Sequence, residues 1–158
     1  MITPAPLYAE DLTVGSRMEL GSWVVSREQI LAFAGQWDPL DIHCDETFAA
    51  TGPFGGLIAS GMHTMSILQR LTATAFLTRV AVIAGRRVTG AELLKPVRPD
   101  TLLVGTRSID AVTLRADGRA VVVTTGQLED QAGDVVLRMT GELLVARRPE
   151  QPPGDIVS

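Results

Sequence analysis

Asp38 and His43 stand five positions apart and pair a carboxylate with an imidazole, two groups that together can take a proton and return one near neutral pH. They belong to the segment Asp38-Pro39-Leu40-Asp41-Ile42-His43-Cys44-Asp45-Glu46, which holds one of the two histidines and four carboxylates within nine residues. A spacing of five does not place two side chains on one face of a regular helix. In a loop around Pro39 both can converge on one water or hydroxyl. A plainer reading stands beside this one: Asp38 caps a turn and the His43 ring packs against the fold. Asp45 precedes Glu46-Thr47-Phe48-Ala49-Ala50 and suits a helix N-cap. Asp41 is expected to be solvated, and Cys44 to pack as a small residue. The segment lacks the glycine and terminal glutamate of a calcium loop, and no second His or Cys sits at zinc-ligand spacing. No metal site is expected.

A second segment, Phe54-Gly55-Gly56-Leu57-Ile58-Ala59-Ser60-Gly61-Met62-His63-Thr64, ends where an apolar helix should begin. Helix starts present unpaired amides and a partial positive charge. Glycines there let a ligand approach the backbone closely. An oxygen that gains negative charge during a reaction can rest on the Gly61 amide. Equally, Gly61 can serve tight helix entry with Ser60 as its cap. The phosphate-binding Gly-Lys-Ser/Thr and the Gly-x-Ser-x-Gly elbow are both missing. His63, in an apolar helix, reads as structural.

The elements that must position these residues follow from patterning. Met18 to Val25 reads as a strand. Ser26 with Gln29 three residues on fits a capping box, so a short helix begins at Arg27 and should end at Gly35. Trp37 to Ile42 is expected to be irregular. Ile58 to Leu77 leaves no consistently polar stripe and is expected to be a buried central helix. Arg87 to Leu94, Thr101 to Val112, Ala120 to Leu128 and Asp134 to Ala146 read as strands. Asp117-Gly118 and Gln131-Ala132-Gly133 turn the last three into an antiparallel meander. About five strands facing one helix is an α+β arrangement.

The 158 residues suit one domain, placed at 1–148, with a flexible polar tail at 149–158 around Pro152-Pro153-Gly154. With 46% hydrophobic and 20% charged residues, the composition excludes a disordered chain. One cysteine excludes a disulfide scaffold and favours a reducing compartment. Residues 1–80 carry four basic and eight acidic side chains, and residues 81–158 ten of each. No stretch concentrates Lys or Arg as a nucleic-acid groove needs. The N-terminus lacks a basic flank before an apolar core, and the longest uncharged run, Thr47 to Gln69, is too polar to span a bilayer. A cytoplasmic protein binding neither nucleic acid nor membrane is therefore expected.

Asp38-Pro39-x-x-x-His43-x-Asp45, followed by the segment Phe54 to Thr64, resembles the MaoC-like acyl dehydratases, relatives of the (R)-specific enoyl-CoA hydratases with a hotdog fold. Lys95-Pro96-Val97-Arg98-Pro99-Asp100-Thr101-Leu102 is similar to the family's strand-turn-strand after the central helix, and the likeness extends over most of residues 14–147. The resemblance implies an antiparallel sheet wrapped around one long helix, usually in a homodimer. It implies that Asp38 and His43 hold the reacting water and exchange its proton. The thioester carbonyl is then held at Gly61, with Ser60 and Gly56 as further oxyanion or substrate-binding positions. The implied reaction is reversible hydration of a trans-2-enoyl-CoA to the (R)-3-hydroxyacyl-CoA. The thioester, on CoA or acyl carrier protein, is substrate, and no cofactor is implied. This chain has Leu40 where hydratase relatives often carry Asn, and Gln69 where some carry Ser. Two alternatives share the scaffold. A hotdog thioesterase needs a carboxylate near the helix start, and Gly61 to Thr78 contains none. A non-catalytic acyl-CoA-binding protein needs no proton transfer at all. Arg86, Arg87, Lys95 and Arg98 are possible contacts for CoA phosphates, or simply exposed ion pairs.

Overall fold

Along β4 (Arg119–Glu129) every second residue is buried, from Ala120 through Val122, Thr124 and Gly126 to Leu128. Such a strand offers one face to a core and the other to solvent. A computed structural model describes residues 5–149 and shows what that face meets. β1 (Arg17–Val25), β2 (Val82–Leu93), β3 (Thr101–Leu114), β4 and β5 (Val135–Ala146) form one sheet in the order β1-β3-β4-β5-β2. All four neighbouring pairs are antiparallel. The β3–β4–β5 meander closes through the two expected turns. Gly118 (φ 76°) and Gly133 (φ 84°) take the left-handed conformation there, which costs glycine little.

The described residues also form four α-helices, α1 (Arg27–Trp37), α2 (Asp41–Cys44), α3 (Glu46–Thr51) and α4 (Gly61–Ala75), and short 3-10 turns at Ala9–Asp11 and Leu77–Arg79. Fifteen residues make α4 about 22 Å long, enough to cross the sheet. Ile67, Leu68 and Leu71 on α4 pack into the same core as Leu103, Ile109, Val122, Leu128 and Leu137. Leu68, Leu103, Val122, Leu128 and Leu137 are wholly buried.

The expected five strands and central helix are all present, with three corrections. First, α1 does not end at Gly35. It runs on to Trp37 and stops at Asp38, because a residue before proline is disfavoured in the helical region. Second, the segment after Pro39 is not irregular throughout. Residues 41–44 form the single turn α2, begun by His43 N–H and Cys44 N–H donating to the Leu40 carbonyl. Third, α4 is not buried all round. His63, Thr64, Ile67, Leu68, Leu71 and Thr72 form its inner face, while Met62, Ser66, Gln69 and Arg70 are exposed in the single chain. The Ser66 and Thr74 hydroxyls bond back to the carbonyls of Met62 and Arg70, which satisfies them on that outer face.

β2 lies at a sheet edge, and all of its residues but the first are exposed. Residues 1–4 and 150–158, which include nearly all of the expected tail, lie outside the described residues. Among the described residues no helix is long and apolar enough to cross a membrane.

Candidate active site

The C-terminal end of α1 delivers Asp38. Its N–H donates to the Ala34 carbonyl, and a non-helical backbone (φ −154°, ψ 68°) then leads into Pro39. The single turn α2 raises His43 on the other side of the proline and buries it to 6% exposure. His43 Nδ1 lies 2.8 Å from the Ile58 carbonyl oxygen. A carbonyl only accepts, so Nδ1 carries the hydrogen, and in the neutral ring Nε2 keeps its lone pair. That Nε2 faces Asp38 Oδ2 at 3.7 Å. The gap is too long for a direct hydrogen bond and suits one water oxygen shared by both groups.

Ser60 ties this pair to the central helix. It is the N-cap of α4, and its Oγ accepts from the Met62 N–H at 3.2 Å. The same hydroxyl donates to Asp38 Oδ2 at 2.5 Å. Ser60 is 1% exposed, so it holds Asp38 in place from within the protein. Gly61 opens α4, where an N–H has no intrahelical partner. A Cβ at Gly61 would meet the end of the Leu93 side chain on β2, which would have to swing aside, so helix and strand come close here.

A cavity of about 410 Å³ lies against His43 and the start of α4. His43, Ile58, Gly61, Thr64, Leu93 and Val97 are among the residues lining it. The histidine and the positive end of α4 therefore face one space. Asp38 and Ser60 do not line it themselves; Asp38 Oδ2 lies 3.7 Å from Nε2 of His43, which does. Gly56 stands apart, beneath Arg98, whose guanidinium donates to the Phe54 carbonyl. Asp45 caps α3 as expected, accepting from the Thr47 and Phe48 N–H groups.

His63 takes no part in this arrangement. It stacks on Phe33 with ring centroids 4.6 Å apart, and burial lowers its pKa, which keeps the ring neutral. Lys95 is held by Asp130 and Asp134, and Arg86 by Glu142, so two of the four basic residues considered for phosphate contacts are in ion pairs. Among the described residues no three His, Cys, Asp or Glu side chains cluster as metal ligands would. Sequence reading misses Arg107, a buried cation at the inward-facing position of the alternating run Leu103, Gly105, Arg107, Ile109. A charged residue in that inward register is the available signal.

Comparison with known proteins fits this geometry. Residues 11–131 match the MaoC like domain, and the chain belongs to that family. YdeM of Bacillus subtilis (strain 168), an uncharacterized protein, is 36% identical over 91 residues, or 58% of this chain. The match spans 64% of that relative's length. The MaoC-like dehydratase from Rhodospirillum rubrum is 35% identical with a TM-score of 0.82, covering 91% of this chain and 99% of that one. The (R)-hydratase PhaJ1 from Pseudomonas aeruginosa shares the fold at 22% identity and a TM-score of 0.74, covering 96% of this chain and 97% of the other. The five-stranded sheet around α4 is thus a hotdog fold.

The Ser60 linkage makes a graded prediction for any reaction that uses Asp38. Ser60→Ala removes one hydrogen bond to a carboxylate and one helix cap. Turnover should fall on the order of tenfold, as loss of about 1.5 kcal/mol of positioning implies. Stability should fall by about 1 kcal/mol from the lost cap. Steady-state kinetics beside a urea titration would check both, and a folded variant with full turnover would remove Ser60 from the positioning of Asp38.

Proposed function

We propose that this protein adds water reversibly to a trans-2-enoyl thioester, giving the 3-hydroxyacyl thioester. The observation that carries the reading is that one cavity holds both the His43 ring and the amide end of α4, with Asp38 Oδ2 3.7 Å from His43 Nε2. Water shared by Asp38 and His43 attacks C3 as one of them removes its proton. The C2–C3 π pair moves toward the thioester, whose oxygen gains enolate character. The Gly61 N–H and the positive end of α4 stabilise that oxygen. A proton delivered to C2 by the same acid/base pair completes addition of one water. No electrons are transferred overall, so the scheme calls for no redox cofactor.

The family membership supports dehydratase chemistry, and the resemblance gives the expected (R) configuration. The same resemblance supports a homodimer. The exposed edge β2 is a suitable surface for a second copy, since long unpaired edges are otherwise prone to uncontrolled pairing. A cytoplasmic setting accords with the single free Cys44.

Crotonyl-CoA tests the reading directly. Its enoyl-thioester absorbance should fall on addition of the protein, with 3-hydroxybutyryl-CoA as product and no free thiol. Free-thiol release would instead indicate a thioesterase. Binding without turnover would indicate an acyl-CoA-binding protein.

A further inference from the structure

Among the described residues, Arg107 is the one Arg, Lys, Asp or Glu that is buried, at 5% exposure. It projects from β3 toward α4. Its Nη1 donates to the Thr124 hydroxyl and its Nη2 to the Thr72 hydroxyl, both neutral partners. Its Nε has no partner. A guanidinium carries five N–H donors, and the two threonines leave most of them unused. Among the described residues no carboxylate lies within ion-pair distance of it. Asp110, the acidic group that acts on it from farther off, accepts from the Ser108 and Thr125 hydroxyls. Burial lowers the Arg107 pKa to about 10, which leaves it charged at neutral pH. An uncompensated charge in a protein interior is unfavourable, so a ligand that compensates it would be bound preferentially.

The surroundings are shaped for such a ligand. Arg107 lines a second cavity of about 380 Å³ with Gln69, Thr72, Thr124, Arg86 and Arg87. Glu142 is the one carboxylate in the lining, and Arg86 already pairs with it. Positive charge therefore exceeds negative. Gly126 stands opposite Arg107 in the β3–β4 register, and a Cβ there would lie 3.0 Å from Nη2. Glycine thus makes room for the guanidinium. Both cavities lie between α4 and the edge strand β2. The first has Gly61 and Leu93 in its wall, and the second has Thr72 and Gly85 to Val88. From Gly61 to Thr72 the helix rises about 16 Å, a distance that a long, extended acyl chain spans.

We propose that the second cavity receives a carboxylate at the far end of the acyl group, making the preferred substrates mono-thioesters of unsaturated dicarboxylic acids. The inference rests on the hydratase reading for its chemistry, while the subsite itself rests on Arg107 and its cavity. A carboxylate can accept from the Nη–H groups that Thr72 and Thr124 leave free, a charge-assisted hydrogen bond. A methyl end placed there would leave the charge unpaired, which selects against ordinary fatty acyl chains.

The test compares mono-CoA thioesters of trans-2-enedioic acids with trans-2-enoyl-CoAs of equal length, using the full-length protein and its Arg107→Met variant. At the best-fitting length the unaltered protein should favour the diacid at least tenfold in kcat/KM. Arg107→Met should reduce that ratio at least tenfold, and Arg107→Lys should reduce it less. Preference for the monoacid at every length would overturn the proposal, as would equal losses on both substrates in a folded variant. Calorimetry with free adipate, suberate and sebacate reads the subsite without any turnover. At least one should bind the unaltered protein more tightly than octanoate does, and Arg107→Met or Arg107→Lys should weaken that binding. If neither thioester is hydrated but a dicarboxylate binds through Arg107, the hydratase reading fails and the subsite stands. If hydration proceeds and no dicarboxylate binds, the subsite fails alone.

Discussion

Asp38→Asn should lower kcat/KM for crotonyl-CoA hydration on the order of 10²–10⁴, the range lost with a positioned acid or base. That corresponds to about 3–5 kcal/mol of transition-state stabilisation. The substitution is nearly isosteric, and the Asn side-chain oxygen can still accept the Ser60 hydroxyl that meets Asp38 Oδ2 at 2.5 Å. The amide cannot take a proton from the attacking water. It also puts a donor in place of the second carboxylate oxygen, which had been an acceptor for the water. The fold should survive, because Asp38 is 28% exposed at its side chain and its backbone N–H, bonded to Ala34, closes α1 in either form. Stopped-flow absorbance on enoyl-CoA, with circular dichroism and a melting curve on the same sample, separates lost chemistry from lost structure. A folded Asp38→Asn protein that hydrates at the normal rate would take Asp38 out of the mechanism.

Which features of the fold are legible in the sequence depends on the range of the signal. The start of α1 is legible because Ser26 and Gln29 close a capping box within four residues, and both of its bonds are present. The β3–β4–β5 meander is legible because Asp117-Gly118 and Gly133 mark its turns and β4 alternates cleanly. The true end of α1 is hidden by Gly35, which resembles a stop but lies inside the helix. α2 is hidden because one turn after a proline is too short to show a period. The start of β2 at Val82 is hidden because Gly85 looks like a boundary, whereas the strand passes through it and shifts register between Gly85 and Arg87.

The site divides in the same way. The residue types at Asp38, His43 and Gly61 suggest proton transfer beside a helix end. The tie between them is tertiary: Ser60 reaches Asp38 across 22 residues, and Ile58 fixes His43 across 15. No local pattern encodes such contacts. The family resemblance puts Ser60 beside the substrate, and in the structure its hydroxyl caps α4 and donates to Asp38 Oδ2. Gly56 shares its glycine-rich segment with Gly61 but is not among the residues lining its cavity, and it lies beside the Arg98 guanidinium.

The two nitrogens of His43 have separable duties, and substitution can divide them. Nδ1–H satisfies the Ile58 carbonyl at 2.8 Å inside the protein, which is a structural task. Nε2 faces Asp38, which is the chemical one. His43→Ala removes both and leaves a buried carbonyl without its donor, at a cost of about 1–3 kcal/mol in stability. His43→Asn retains an N–H near the Nδ1 position and nothing at Nε2. It should therefore melt closer to the unaltered protein than His43→Ala does. Both variants should lose hydration on the order of 10²–10⁴, because neither can accept a proton from the water. Losses that tracked stability alone, with His43→Asn close to full activity, would assign His43 to structure and leave Asp38 as the sole proton acceptor. Equal losses of turnover alongside unequal losses of stability would place the imidazole in the reaction.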